Sequence, residues 1–142
     1  MASFNKFNSF VEAVAEKTHN LGADTLKIAL TNSAPVATNT QLSNLTEISY
    51  TNLSTRTVTV SASSQSSGTY KLVCTDLVLT SSGGTTGPFR YVVLYNDTAT
   101  NDELIGWWDY ASAITLADGE TFTIDFDGTN GVLQLVQWPT FR

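Results

Sequence analysis

The sequence predicts a mainly β fold: a single antiparallel β-sandwich or jelly-roll-like domain with one short N-terminal helix. Three observations carry that expectation. Beyond residue 25 apolar residues recur at every second position, over about seven or eight short stretches separated by turn residues. Charged residues make up only 14% of the 142-residue chain, while Ser and Thr take roughly a quarter, a polar surface suited to strands and turns. The 42% apolar fraction supplies one core, and the length is that of one domain.

The chain divides into an N-terminal helical segment, residues 1–22, and a β-sandwich domain, residues 23–142. Phe4, Phe7, Val11 and Val14, with Phe10 and Ala15 beside them, recur at spacings of three and four, so a helix is expected over Phe4 to Lys17. Ser3 or Asn5 is placed to cap its start, and Gly22 suits a left-handed residue at its end. From Leu26 the period becomes two: Leu26, Ile28 and Leu30 alternate with Lys27 and Ala29. A loop follows over Thr31 to Thr40, then a short helical turn within Gln41 to Ile48. Thr55 to Ser61 is a second strand, and Gln65 to Gly68 a turn.

Thr69 to Thr80 reads as a long strand whose alternation breaks at Thr75-Asp76, the mark of a bulge or of a corner between two sheets. Ser81 to Pro88 is a Gly-rich loop, expected to be flexible. Phe89 to Tyr95 is apolar on both faces and therefore central. The remaining strands are Leu104 to Tyr110, Thr121 to Phe126 and Val132 to Val136, joined by Asp-Gly and Asn-Gly turns.

Several function classes fall away. A net charge of −6 is the wrong sign for gripping phosphates, so nucleic acid is not expected as a partner. No apolar run approaches the roughly 18 residues of a membrane span, so no membrane is expected either. The start of the chain lacks the apolar stretch of a secretory signal. One Cys, Cys74, excludes an internal disulfide framework, and one His, His19, excludes a two-His zinc site. Asp125 to Gly131 superficially resembles a calcium loop, but Gly stands at its fourth position and Val136 at its twelfth, so a turn is expected. Gly83 to Gly87 has no following Lys and precedes a strand, which argues against a phosphate cradle. No catalytic residues, metal or cofactor are expected, and the chain reads as a non-enzyme.

Tyr91 to Phe141 contains no Lys or Arg and eight acids, an acidic face that keeps the protein soluble or meets a basic partner. Aromatic residues carry the other signal. Trp107 and Trp108 are adjacent on one strand and must point to opposite faces, one toward the core and the other outward or toward a neighbour. Trp138 and Phe141 lie in the C-terminal tail. Phe4, Phe7, Phe10, Trp107, Trp108, Trp138 and Phe141 are the interface candidates, since aromatics anchor interfaces and chain ends reach across them. On this reading residues 1–17 hold a partner while the β domain folds without them.

Three stretches, LKIALTNSAPVATNTQLSNLTEISY (Leu26–Tyr50), LVLTSSGGTTGPFRYVVLYNDTATNDELIGWWDY (Leu77–Tyr110) and AITLADGETFTIDF (Ala113–Phe126), cover about half the chain. Together they resemble small virion structural proteins of tailed bacteriophages, of the head decoration or cement type. The resemblance implies a mechanical function: a protein made in the bacterial host cytoplasm and carried on the capsid surface of the virion. Its implied partners are the major capsid protein and copies of itself, a homo-oligomer with a trimer favoured. A tail, collar or connector component is the alternative within the particle. A carbohydrate-binding receptor-recognition module, using Trp107 or Trp108 as a stacking platform, is the alternative of another class.

Overall fold

The computed structural model describes residues 2–136. Its strands are β1 (Asn5–Lys6), β2 (Leu26–Thr31), β3 (Thr57–Val58), β4 (Val60–Ser66), β5 (Thr69–Cys74), β6 (Leu77–Thr80), β7 (Thr86–Asn96), β8 (Leu104–Leu116), β9 (Thr121–Ile124) and β10 (Leu133–Leu135). One helix, α1 (Asn8–Ala15), and one 3-10 turn (Leu42–Asn44) complete the described elements. The strands form antiparallel sheets ordered β1-β8-β7-β2-β3, β10-β5-β4 and β6-β9. The mainly β, sandwich-like architecture with a short N-terminal helix is as the periodicity predicts.

The five-stranded sheet is one layer, and the two smaller sheets together make the other. Leu26, Ile28, Leu30, Val92, Leu94 and Ile105 of the first layer meet Leu72, Cys74, Leu79 and Ile124 of the second in one buried cluster. The break at Thr75-Asp76 is the expected corner: β5 belongs to one small sheet and β6 to the other. Thr75 N–H donates to the Thr59 carbonyl (2.9 Å), and Asp76 Oδ1 accepts from Phe126 N–H (2.9 Å), so both corner residues are tied down. β7 lies at the middle of the five-stranded sheet, as its two-faced hydrophobicity predicts. Val92 and Leu94 face the main core, while Val93 and Tyr95 face a second cluster with Phe7, Ala29 and Leu104. The hairpin between β4 and β5 turns through Ser67 (φ 50°) and Gly68 (φ 80°), the two positive φ values a two-residue loop requires.

The N-terminal segment departs from the expectation. Phe4 to Lys6 is extended rather than helical, because Asn5 and Lys6 pair with Trp107 and Gly106 of β8. Gly106 admits this contact, since a Cβ there would run into the Phe4 ring. The helix starts only after Phe7, whose extended backbone (φ −75°, ψ 144°) forms the N-cap with no capping side chain, so neither Ser3 nor Asn5 serves. It ends at Ala15 with Glu16 as C-cap, and the next residue, Lys17, takes the left-handed conformation (φ 68°) expected of Gly22. The loop before β7 also differs from the flexible segment expected. Gly83 N–H donates to Asp118 Oδ1 (2.9 Å), and the buried Ser81 hydroxyl bonds both the Gly84 carbonyl and the Thr86 hydroxyl (2.8 Å each).

Candidate functional site

The aromatic candidates separate into two faces of the same sheet, and the N-terminal phenyl rings decide how. Trp107 and Trp108 do point to opposite faces, each half-buried. Phe7 packs on Trp107 with ring centroids 4.6 Å apart, closing the second cluster together with Leu42 and Leu45. Phe4 packs on Trp108 at 5.3 Å from the other side, and Phe126 reaches the same indole at 5.9 Å. Phe7 has no solvent exposure and Phe10 is buried, so these two are core residues rather than surface anchors. Phe7 caps the helix with extended backbone and enters the second cluster while Phe10 enters the main core, so the spacing that singled them out does not mark one helix face. Trp138 and Phe141 lie outside the described residues.

Beside Trp108 the sandwich opens into a groove of about 890 Å³. Val92, Trp108, Tyr110 and Phe122 line it, together with Ala2–Phe4 and the chain from Thr123 to Gly128. Tyr110 is the open ring, 49% exposed, and it meets Phe122 edge-on at 5.2 Å. Tyr110, Phe122 and Thr123 were absent from the sequence candidates. Tyr110 stands two residues from Trp108 and so shares its face, a signal present in the alternation but hidden by the choice of the adjacent Trp pair.

Among the described residues the groove carries two carboxylates and no cation. Asp127 is spent on the turn after it: its Oδ1 accepts from Thr129 and Asn130 N–H (2.8 Å each) and its Oδ2 from Asn130 Nδ2 (2.9 Å). These bonds, those from Asn130 first, hold its carboxyl below the usual range. The segment is thus the Asx-type turn expected of it. Asp125 is exposed and has no hydrogen-bond or ion-pair partner among the described residues.

A second cluster surrounds His19, in an open pocket of about 480 Å³. Asn96 Oδ1 accepts from Thr98 and Ala99 N–H (2.9 and 3.2 Å), which fixes its amide. Its Nδ2 therefore donates to Asp24 Oδ2 (2.7 Å) and to His19 Nδ1 (3.0 Å). Nδ1 is the acceptor, so the neutral ring carries its proton on Nε2, which is buried without a partner. Desolvation pushes the His19 pKa down, against the opposing pull of Glu103 and Asp24. Cys74 is buried, and desolvation raises its thiol to about 11, well away from a reactive thiolate.

Among the described residues no group of three or more His, Cys, Asp or Glu is placed to hold a metal ion, and no helix is long and apolar enough to cross a membrane. No family model, no curated protein and no solved structure matches the chain.

Proposed function

We propose that this chain is a non-enzymatic bacteriophage virion protein that binds the capsid lattice and stabilises it, working as a homo-oligomer on the major capsid protein. The observation that carries this reading is the aromatic groove beside Trp108, bordered by Tyr110 and by the last strand residues of β9. Half-buried aromatic surface next to a strand suits attachment to another protein chain, because aromatics anchor interfaces and strand edges pair. Of the groups able to do chemistry, His19 is engaged with Asn96, Asp127 with its own turn, and Asp109 with Arg90. The resemblance of Leu26–Tyr50, Leu77–Tyr110 and Ala113–Phe126 to phage virion proteins supplies the particle. A ligand that binds only the assembled shell stabilises it by mass action, and many weak contacts on one lattice add by avidity.

The test is the copy number of this chain in purified virions, measured by quantitative mass spectrometry. Hundreds of copies per particle are expected. A dozen or fewer would move the protein to the neck or tail, and none would overturn the virion reading.

A further inference from the structure

We propose that the free edge of β9 is a strand-addition site for an extended, basic segment of a partner protein, seated over the aromatic groove. This deepens the attachment reading above and rests on it. The first support is the hydrogen-bond phase of the β6–β9 ladder. Leu79 pairs with Phe122 and Leu77 with Ile124, and one step beyond, Ser81 N–H donates to the Glu120 carbonyl (3.0 Å). Bonded pairs alternate in an antiparallel ladder, so Phe122 and Ile124 turn their main-chain groups toward β6. Phe126 continues the phase by donating to Asp76 Oδ1. Thr121, Thr123 and Asp125 must then turn their N–H and C=O groups to the opposite side, where no described strand pairs with β9.

That opposite side is the groove. Phe122, Thr123 and Ile124 of β9 all line it, as a strand does when it shows its edge rather than one face, and residues 125–128 continue the lining beyond the strand. No Pro, Lys or bulge protects Thr121–Ile124, although natural sheets blunt free edges with these devices. The edge from Thr121 to Asp125 spans about 13 Å, the span of five residues of a partner strand. Alternate apolar side chains of such a strand would lie on Trp108, Tyr110 and Phe122.

Charge selects the occupant. Among the described residues the groove lining holds Asp125 and Asp127 and no Lys or Arg, on a chain of net charge −6, so a second copy would bring acid against acid. Asp127 is occupied by its turn, which leaves the exposed Asp125 carboxylate to meet a cation. The partner segment is therefore extended, apolar at alternate positions, and carries Arg or Lys opposite Asp125.

The experiment uses the intact chain and the fluorescein-labelled peptide Thr-Val-Arg-Val-Thr-Val, capped at its C-terminus as the amide, read by fluorescence polarisation. The counterpart with Glu in place of Arg, and the Arg peptide N-methylated at alternate residues, are the controls. We expect saturable binding of the Arg peptide, about ten-fold weaker binding of the Glu peptide, and weakening with salt. Thr123→Pro removes an outward N–H without touching the ladder to β6, and should abolish binding while the melting temperature stays near that of the parent. If Thr123→Pro does not fold, the N-methylated peptide gives the same answer, because it keeps the side chains and loses the strand pairing. Equal binding of the Arg and Glu peptides, binding of the N-methylated peptide, or no saturation up to about 5 mM would overturn the proposal. Each of these failures leaves the virion copy number untouched, so the two readings fail separately.

Discussion

Trp107 and Trp108 are neighbours in sequence, yet the two surfaces they mark have different fates. On the Trp107 side, Phe7, Ala29, Val93, Tyr95 and Leu104 form a closed cluster sealed by the fully buried Phe7. On the Trp108 side, Phe4 covers the indole only in part, and the sandwich stays open as a groove. Strand alternation assigns each Trp to a face; it says nothing about what arrives to cover that face. Here one short N-terminal segment supplies both covers, three residues apart, and seals one side only.

The strongest way to break the contrast is to remove the seal. Deleting residues 1–17 takes away β1, Phe7 and Phe10, so the chain should lose its native packing rather than merely a binding arm. Loss of near-ultraviolet circular dichroism checks this; a deletion that melts like the parent would mean the segment is an appendage. The single substitution Phe7→Ala should cost about 3–5 kcal/mol in denaturant unfolding, as for a buried phenyl ring replaced by a cavity. Phe4→Ala sharpens the same contrast from the other side. Its half-buried ring should cost less, about 1–2 kcal/mol, while enlarging the groove beside Trp108. Comparable losses from the two substitutions would show that the faces are equally closed.

The period-two pattern in Leu26–Leu30 and Phe89–Tyr95 and the corner at Thr75-Asp76 were legible because each reports a local backbone fact. The N-terminal segment was misread at Phe4–Lys6, where helical spacing lost to a tertiary contact: the space above Gly106 on β8. The extent of β8 was also hidden, since its outer half is exposed from Tyr110 to Ser112 and carries no apolar alternation. The Trp pair was visible as a site, but the groove was not. It is built from Ala2–Phe4, Trp108 and Phe122–Val132, brought together only by the stacking of the sheets.

A smaller effect lies outside the groove, around His19. Its folded pKa is lowered by burial, so between that value and the unfolded value near 6.5 the unfolded chain binds the extra proton. Stability contributed by neutral His19 is therefore complete above the unfolded pKa and is lost as pH falls below it. Protonation would set an N–H on Nδ1 against the Asn96 amide, which also holds the Asp97–Ala99 turn. Thermal melts between about pH 7.5 and about pH 5 should show this decline, and His19→Gln should flatten it. An unchanged slope in the variant would assign the decline to the carboxylates alone.

The smallest expected effect is at the Arg90–Asp109 pair, whose Asp109 follows Trp108 on β8 and by strand alternation points to the other face. The guanidinium is bidentate on the carboxylate (2.8 and 3.0 Å), yet both side chains are well exposed, so solvent screens the attraction. Arg90→Gln should leave the melting temperature within error. Asp109→Ala should lower it measurably, because Asp109 Oδ1 also accepts from Ala111 N–H (2.7 Å), and Ala111 holds a left-handed backbone (φ 72°). The bond from Arg90, ahead of that from Ala111, keeps the Asp109 carboxyl below its usual range. Its contribution is present above the unfolded pKa and disappears as pH falls through the folded one, so the Asp109→Ala deficit should shrink in acid. Equal losses from both substitutions near neutral pH, both shrinking in acid, would mean that the ion pair, rather than the backbone bond to Ala111, holds the outer half of β8.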